Sequence, residues 1–204
     1  ITLLHAIYQS FGVQGYEIRI NSVGCNDCRP KYREALKAAL RPRLAELCPQ
    51  CQKRFERAPM RILDCKSETC QAIAKTAPKI ADHLCDVCKA HHKKVGECLK
   101  SLSVPYIEDP NIVRGLDYYI RTAFEFTSNL LGAQSALCGG GRYDGLSERY
   151  GQKPIPAVGF GLGMERIMMA LEASGLTPKT AFEPKLFLVP LGDEAMNRLL
   201  EIVG

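Results

Sequence analysis

Eight cysteines fall in pairs between residues 25 and 88: Cys25-x2-Cys28, Cys48-x2-Cys51, Cys65-x4-Cys70 and Cys85-x2-Cys88. Each close pair can offer two thiolates to one tetrahedral ion, so two pairs complete a four-thiolate site. No secretory signal is visible, which favours zinc over a disulfide framework. Eight ligands make two sites. Spacing leaves their pairing open: consecutive pairs fit ribbon-like gaps, while a nested arrangement suits a segment whose ends must be held together. We favour the nested one, with Cys48, Cys51, Cys65 and Cys70 inside and Cys25, Cys28, Cys85 and Cys88 clamping entry to exit. Four thiolates leave no position for substrate, so such a metal is structural. The alternatives are free thiols in a core, which cysteine tolerates well, and iron–sulfur ligation. His91 and His92 are possible substitute ligands but read as polar helix residues.

Nine of the ten cysteines and three of the four histidines lie in residues 25–103, with helical spacing in "PKYREALKAALRPRLAEL" and a break implied at Pro42. The flanks differ. Before this segment come a helix, a turn and the alternating strand "YEIRINSVG"; after it come "VPYIED", "DYYIRTAFEFTS", "AQSALCGG" and "PAVGFG", then a helix closed by Gly175. The expected fold class is α+β, an antiparallel sheet interrupted by a small, mainly helical, Cys-rich insertion. The expected divisions are 1–24 and 104–175 for the sheet domain, 25–103 for the insertion, and 176–184 for a Pro- and Thr-bearing linker. Residues 185–204 then begin a further domain with a buried strand, "KLFLVPLG", and a helix from Asp193. The first helix, with Ile1, Leu4, Ile7, Tyr8 and Phe11 on one face, has no capping residue before it, and the chain reads as part of a longer protein.

Charge follows the same division. Residues 25–103 hold 17 Lys+Arg against 9 Asp+Glu, a net of +8, while the remainder nets −3. A basic segment on an acidic body points to a polyanionic partner, although a solvated helical surface also explains it. Two four-thiolate zinc sites at −2 each would lower the segment to about +4. No run approaches the roughly 18 apolar residues of a membrane span.

Three stretches after the cysteines carry chemistry. "RGLDYYIRTAFEF" reads as a strand, yet it bears two arginines, two acids and adjacent tyrosines. "CGGGRYDGL" is a glycine-rich turn. In "GFGLGMER", glycines alternate with apolar residues, which leaves one strand face bare for a flat ligand. An arginine opening the next helix can then grip its phosphates. A bulge or tight packing explains such glycines equally well.

Together these stretches carry a resemblance. "GFGLGMER" is similar to the third motif of class II aminoacyl-tRNA synthetases; "VRGLDYYIRTAFEF" and "GGGRYDGL" resemble the two histidine-specific motifs of the histidyl-tRNA synthetase family, and "YEIRINSVG" and "PMRILDCK" resemble its bacterial insertion region. The resemblance covers essentially the whole chain. It implies ATP-dependent activation of histidine to histidyl-adenylate and transfer to tRNA. Arg114 is implied between the histidine carboxylate and the ATP α-phosphate, Tyr118, Tyr119 and Tyr143 in the histidine pocket, and Gly161, Gly163, Glu165 and Arg166 on ATP. ATP with Mg2+ and tRNA(His) are the implied partners, the acceptor arm meeting residues 25–103, in a cytoplasmic homodimer with no membrane association. Residues 185–204 match the start of the family's anticodon-binding domain. Adjacent strand residues face opposite sides, so Tyr118 and Tyr119 are expected to contribute unequally. Asp117 reads as structural, because adenylate formation takes no proton from a carboxylate, and Arg142 and Asp144 read as holding the loop of Tyr143. The family's first two class II motifs are not found in the chain, so this chain alone is expected to lack full activity. Two other functions compete: a histidine-binding regulatory paralogue of histidine biosynthesis, which would differ at Arg114 and Arg166 and lack the insertion, and a zinc-stabilised nucleic-acid module, which leaves "VRGLDYY" and "GMER" unexplained.

Overall fold

The structure, a computed structural model, describes residues 1–113, 118–132, 135–176 and 187–203. Helix α1 (Thr2–Phe11) ends at Gly12, whose left-handed φ of 77° lets the chain reverse into strand β1 (Tyr16–Ser22). Helix α2 (Cys28–Leu40) then stops where Pro42 enters a short 3-10 turn, Arg41–Glu46. Helices α3 (Pro49–Arg54), α4 (Glu68–Lys75) and α5 (Asp86–Ser101) complete the Cys-rich segment. Beyond it come β2 (Ile107–Glu108), β3 (Thr122–Ser128), β4 (Ala136–Arg142), helix α6 (Leu146–Arg149), β5 (Val158–Leu162), α7 (Met164–Ala173) and α8 (Asp193–Val203).

The five described strands form one sheet in the order β2-β1-β3-β4-β5. This α+β sheet is mixed, where a purely antiparallel one was expected. β1 lies parallel to β2 and every other pair is antiparallel. The reason is the connection. Parallel neighbours need a crossover of a dozen or more residues, and the helical Cys-rich segment ending in α5 supplies it.

The described residues form two large apolar cores and a smaller cluster of Val23, Ile112, Tyr119 and Ala123. Leu4 and Tyr8 of α1, Leu99 of α5 and Ile167 and Ala170 of α7 cover Ile18, Ile20, Phe124 and Phe126 on one face of the sheet. The second core is built from residues 28–88 with Val113, around Tyr32, Leu36, Phe55, Ile62, Ile73 and Ile80. Helix α5 joins them, with Cys88 in one core and Leu99 in the other.

Two sequence expectations fail in instructive places. The strand anticipated over "DYYIRTAFEFTS" begins only at Thr122, because Arg121 takes a positive φ of 57° and bends the chain ahead of it. The buried strand anticipated over "KLFLVPLG" is not formed by its described residues 187–192, and Phe187 and Leu191 are strongly exposed, at 84% and 86%. One strand and one helix cannot bury a core of their own.

Candidate active site

Period-two alternation decides which side chains meet on the open face of the sheet. With Ile18, Ile20, Phe124 and Phe126 turned to the core, Arg19, Asn21, Ala123 and Glu125 lie on the opposite face. Register then extends two rows across the sheet. One runs Arg19, Glu125, Gly139, Gly161; the next runs Asn21, Ala123, Gly141, Gly159.

The second row is covered by tyrosines. A Cβ on Gly141 would stand 2.7 Å from Cδ1 of Tyr119 and still closer to the carbonyl oxygen of Thr122, and one on Gly159 would collide with the Tyr143 hydroxyl. Tyr118 joins the group, with ring centroids 4.7 Å from Tyr119 and 5.5 Å from Tyr143. Tyr118 and Tyr119 therefore sit together rather than on opposite faces, since they precede the strand instead of lying in it. Tyr119 is buried and Tyr118 partly so. The segment is pinned on both sides: Ile120 N–H donates to Arg142 at 2.8 Å, Val23 N–H to Arg121 at 2.6 Å, and Arg121 N–H to Gly24 at 2.8 Å. Arg142 grips Asp144 through Nε at 2.8 Å, and Asp144 accepts from the Ala157 N–H, which fixes the loop of Tyr143. Replacing Gly141 by alanine should lower stability by about 1–3 kcal/mol through overpacking. Urea unfolding checks this, and an unchanged midpoint would contradict the packing.

The first row is open at Gly161. A Cβ at Gly161 would meet nothing within 4 Å among its surroundings. Beside it lies a cavity of about 720 Å3 whose lining includes Arg19, Lys66, Asp109, Glu125 and Arg166. Arg166, in the first turn of α7, anchors its Nε on the Ala136 carbonyl. Arg19 is held by Glu17 at 2.6 Å and Asp109 at 3.0 Å, and these carboxylates, Glu17 first, raise its pKa further above the usual arginine value. Gly163 is crowded by Arg166 carbons from 3.1 Å, so of the three alternating glycines only Gly161 presents bare backbone. Glu165 is exposed and lines neither this cavity nor the tyrosine group. Arg114 and Asp117 fall outside the described residues. Arg19 and Glu125 were not singled out from the sequence; the alternation of polar with apolar residues in "YEIRINS" and "TAFEFTS" is the signal that could have found them.

The cysteines assemble into two groups, Cys25 with Cys28, Cys85 and Cys88, and Cys48 with Cys51, Cys65 and Cys70, each with all sulfurs within 4.8 Å. Individual separations are 3.5 Å (Cys25–Cys28), 4.0 Å (Cys25–Cys85) and 3.8 Å (Cys48–Cys65). A tetrahedron with zinc–sulfur arms of about 2.3 Å has edges of about 3.8 Å, whereas a disulfide needs about 2.05 Å. The donor sets fit a four-thiolate ion. Backbone amides already face the sulfurs: Cys48 N–H donates to Cys70 at 3.2 Å and Cys85 N–H to Cys28 at 3.1 Å. Bonds from the Cys51 and Cys88 amides pull the Cys48 and Cys85 thiols down to about 7. Burial pushes Cys28, Cys51 and Cys65 up, and Cys88 to about 12. His91 and His92 belong to neither group.

A family model described as histidyl-tRNA synthetase matches residues 5–167. The chain is 50% identical over 203 residues to a histidine–tRNA ligase of Moorella thermoacetica, covering 98% of this chain and 48% of the relative. It is 46% identical over all 204 residues to the enzyme of that name from Desulfitobacterium hafniense, again 48% of the relative. The apo histidyl-tRNA synthetase of S. aureus superposes with a TM-score of 0.67 at 40% identity, over 99% of this chain and 50% of that one. The chain thus spans about half the length of the curated relatives it matches. Its glycine-floored sheet, its tyrosine cluster and these matches agree, and the chain belongs to the histidyl-tRNA synthetase family.

Proposed function

We propose that this chain forms part of a histidine–tRNA ligase, activating histidine with ATP and passing it to tRNA. The observation that carries this reading is the group of Tyr118, Tyr119 and Tyr143 packed over one glycine row, beside the bare backbone of Gly161 in the next. A tyrosine hydroxyl can bond an imidazole nitrogen while its ring lines a flat side chain's pocket. The adenine ring of ATP lies on the bare backbone of Gly161, Gly163 stands beside it under Arg166, the phosphates meet Arg166, Glu165 orients neighbouring groups, and Mg2+ arrives with ATP as substrate. Arg114 bridges the histidine carboxylate and the α-phosphate. A carboxylate oxygen forms a bond to the α-phosphorus as the bond to the bridging oxygen breaks, and pyrophosphate leaves with that electron pair. No proton moves in this step. A permanently charged guanidinium suits it, because two anions must be brought together. The tRNA terminal ribose hydroxyl then attacks the carbonyl carbon, the bond from that carbon to the phosphate oxygen breaks, and AMP departs with that electron pair while the hydroxyl proton passes to solvent.

In this account residues 1–24 and 104–175 form the catalytic domain and residues 25–103 its insertion, which meets the tRNA acceptor arm. Residues 176–184 are a linker, and 185–204 begin the anticodon-binding domain. Each four-cysteine group holds one structural zinc. The functional protein is a cytoplasmic homodimer. Replacing Tyr143 by phenylalanine should raise KM for histidine about tenfold, the worth of one hydrogen bond to a charged or strongly polar partner. Steady-state kinetics with each amino acid tests this; equal use of histidine and other amino acids would sink the proposal.

A further inference from the structure

Asn21 of β1 is buried on the open face of the sheet, in the row covered by the tyrosines. Its side-chain nitrogen donates to the Pro110 carbonyl at 3.2 Å and to the Ile112 carbonyl at 2.9 Å. A primary amide carries two N–H donors on one nitrogen, so both are spent on these carbonyls. Serine has one donor, and ionised aspartate has only acceptors. The chain around this anchor is folded into a turn. Asp109 N–H donates to the Ile20 carbonyl at 2.9 Å, Arg19 holds the Asp109 carboxylate at 3.0 Å, and the Asn111 and Ile112 amides bond back to Asp109 at 3.0 and 3.2 Å. Those bonds fix the near side of the turn, and Asn21 ties its far side to the sheet. Ile112 then packs with Val23, Tyr119 and Ala123, and Val113 with the Cys-rich core. Arg114 is the next residue in sequence.

We infer that Asn21 is a positioning residue for histidine activation: its two hydrogen bonds set where the chain enters residue 114, and so where the Arg114 guanidinium meets its two anions. The inference rests on the ligase reading, which gives Arg114 its role. Asn21 touches no substrate and acts through Arg114. An arginine side chain is long, so its backbone origin must be fixed if the guanidinium is to stand ready between carboxylate and phosphate. Apolar packing of Ile112 and Val113 is non-directional and secures burial, whereas two hydrogen bonds to successive turns of backbone secure position. A displacement of about 1 Å at a reacting group costs about 100-fold in rate.

The full-length gene product would be compared with its Asn21→Ala and Asn21→Ser variants, each with and without Arg114→Ala. Amide hydrogen exchange, read by mass spectrometry without substrates, should speed up about tenfold over residues 109–113 in Asn21→Ala, the scale of one lost hydrogen bond, and stay unchanged over β3. In histidine-dependent ATP–pyrophosphate exchange, kcat should fall about 100-fold with KM for ATP unchanged. Asn21→Ser keeps one donor and should fall in between; it also carries the comparison if the alanine variant does not fold. In the Arg114→Ala background, the change at Asn21 should alter the rate less than about threefold, because residues acting as a unit are not additive. Undiminished kcat in a folded Asn21 variant would overturn the inference alone, as would unchanged hydrogen exchange over 109–113. The same 100-fold loss in the Arg114→Ala background would also overturn it, because Asn21 would then be supporting the fold rather than Arg114. An unaltered protein without any exchange would overturn the ligase reading, and the inference with it.

Discussion

Removing metal from both cysteine groups should unfold the second core while leaving the sheet's own core standing. Structural four-ligand zinc contributes apparent binding free energies of about 10–16 kcal/mol, which exceeds the roughly 5–15 kcal/mol that separates most folded domains from their unfolded chains. The side chains around Tyr32 and Phe55 belong to a core in which Cys28, Cys51, Cys70 and Cys88 are themselves buried members. Without an ion, the helices that carry them lose their crosslinks. Elemental analysis should find two zinc ions per chain, and chelation should abolish the near-ultraviolet signal of Tyr32 while that of Tyr8 persists. The two groups should also differ. Cys25 follows Val23 and Gly24, which exchange backbone hydrogen bonds with Arg121 beside the tyrosines. Cys25→Ser with Cys85→Ser should therefore raise KM for histidine, whereas Cys48→Ser with Cys65→Ser should act mainly on stability. Protein that folds fully with no bound metal would contradict both expectations.

The next largest effects belong to the open glycine row. Arg166→Lys keeps the charge but loses the planar fork, and should lower kcat/KM for ATP in the exchange reaction by about 10- to 100-fold. Gly161→Ala supplies the cleaner comparison. Its Cβ has room in the protein, so stability should hold or rise slightly, yet the added methyl stands where the adenine ring lies. KM for ATP should rise at least tenfold with an unchanged melting temperature. Gly141→Ala, by contrast, strikes Tyr119 and should act through the fold. Equal ATP affinity in Gly161→Ala and the unaltered protein would remove ATP from that face.

Much of this arrangement was readable from local pattern. Alternation in "YEIRINS" and "TAFEFTS" assigns Ile18 and Phe124 to one face and Arg19 and Glu125 to the other, and the glycine spacing marks where backbone is approached closely. Local pattern could not give what depends on a distant partner. The parallel pairing of β1 with β2 arises from a crossover of more than eighty residues, and strand alternation is the same in either direction. Tyr118 and Tyr119 look like strand residues, since nothing in "YYIRTAF" announces that a non-glycine, Arg121, will adopt a left-handed conformation. Its tie is the backbone of Val23 and Gly24, far away in sequence. The cysteine grouping needed three dimensions for the same reason: identical knuckles pair equally well by spacing, and only the juxtaposition of α2 with the start of α5 brings Cys28 to Cys85.

The most direct test is histidine-dependent ATP–pyrophosphate exchange by the full-length gene product, beside its Arg114→Ala variant. The account predicts exchange that requires histidine and falls about 1,000-fold in the variant, the scale expected when one preorganised charge is removed from a transition state. A folded protein that binds histidine but catalyses no exchange would contradict it and point to a regulatory histidine sensor instead.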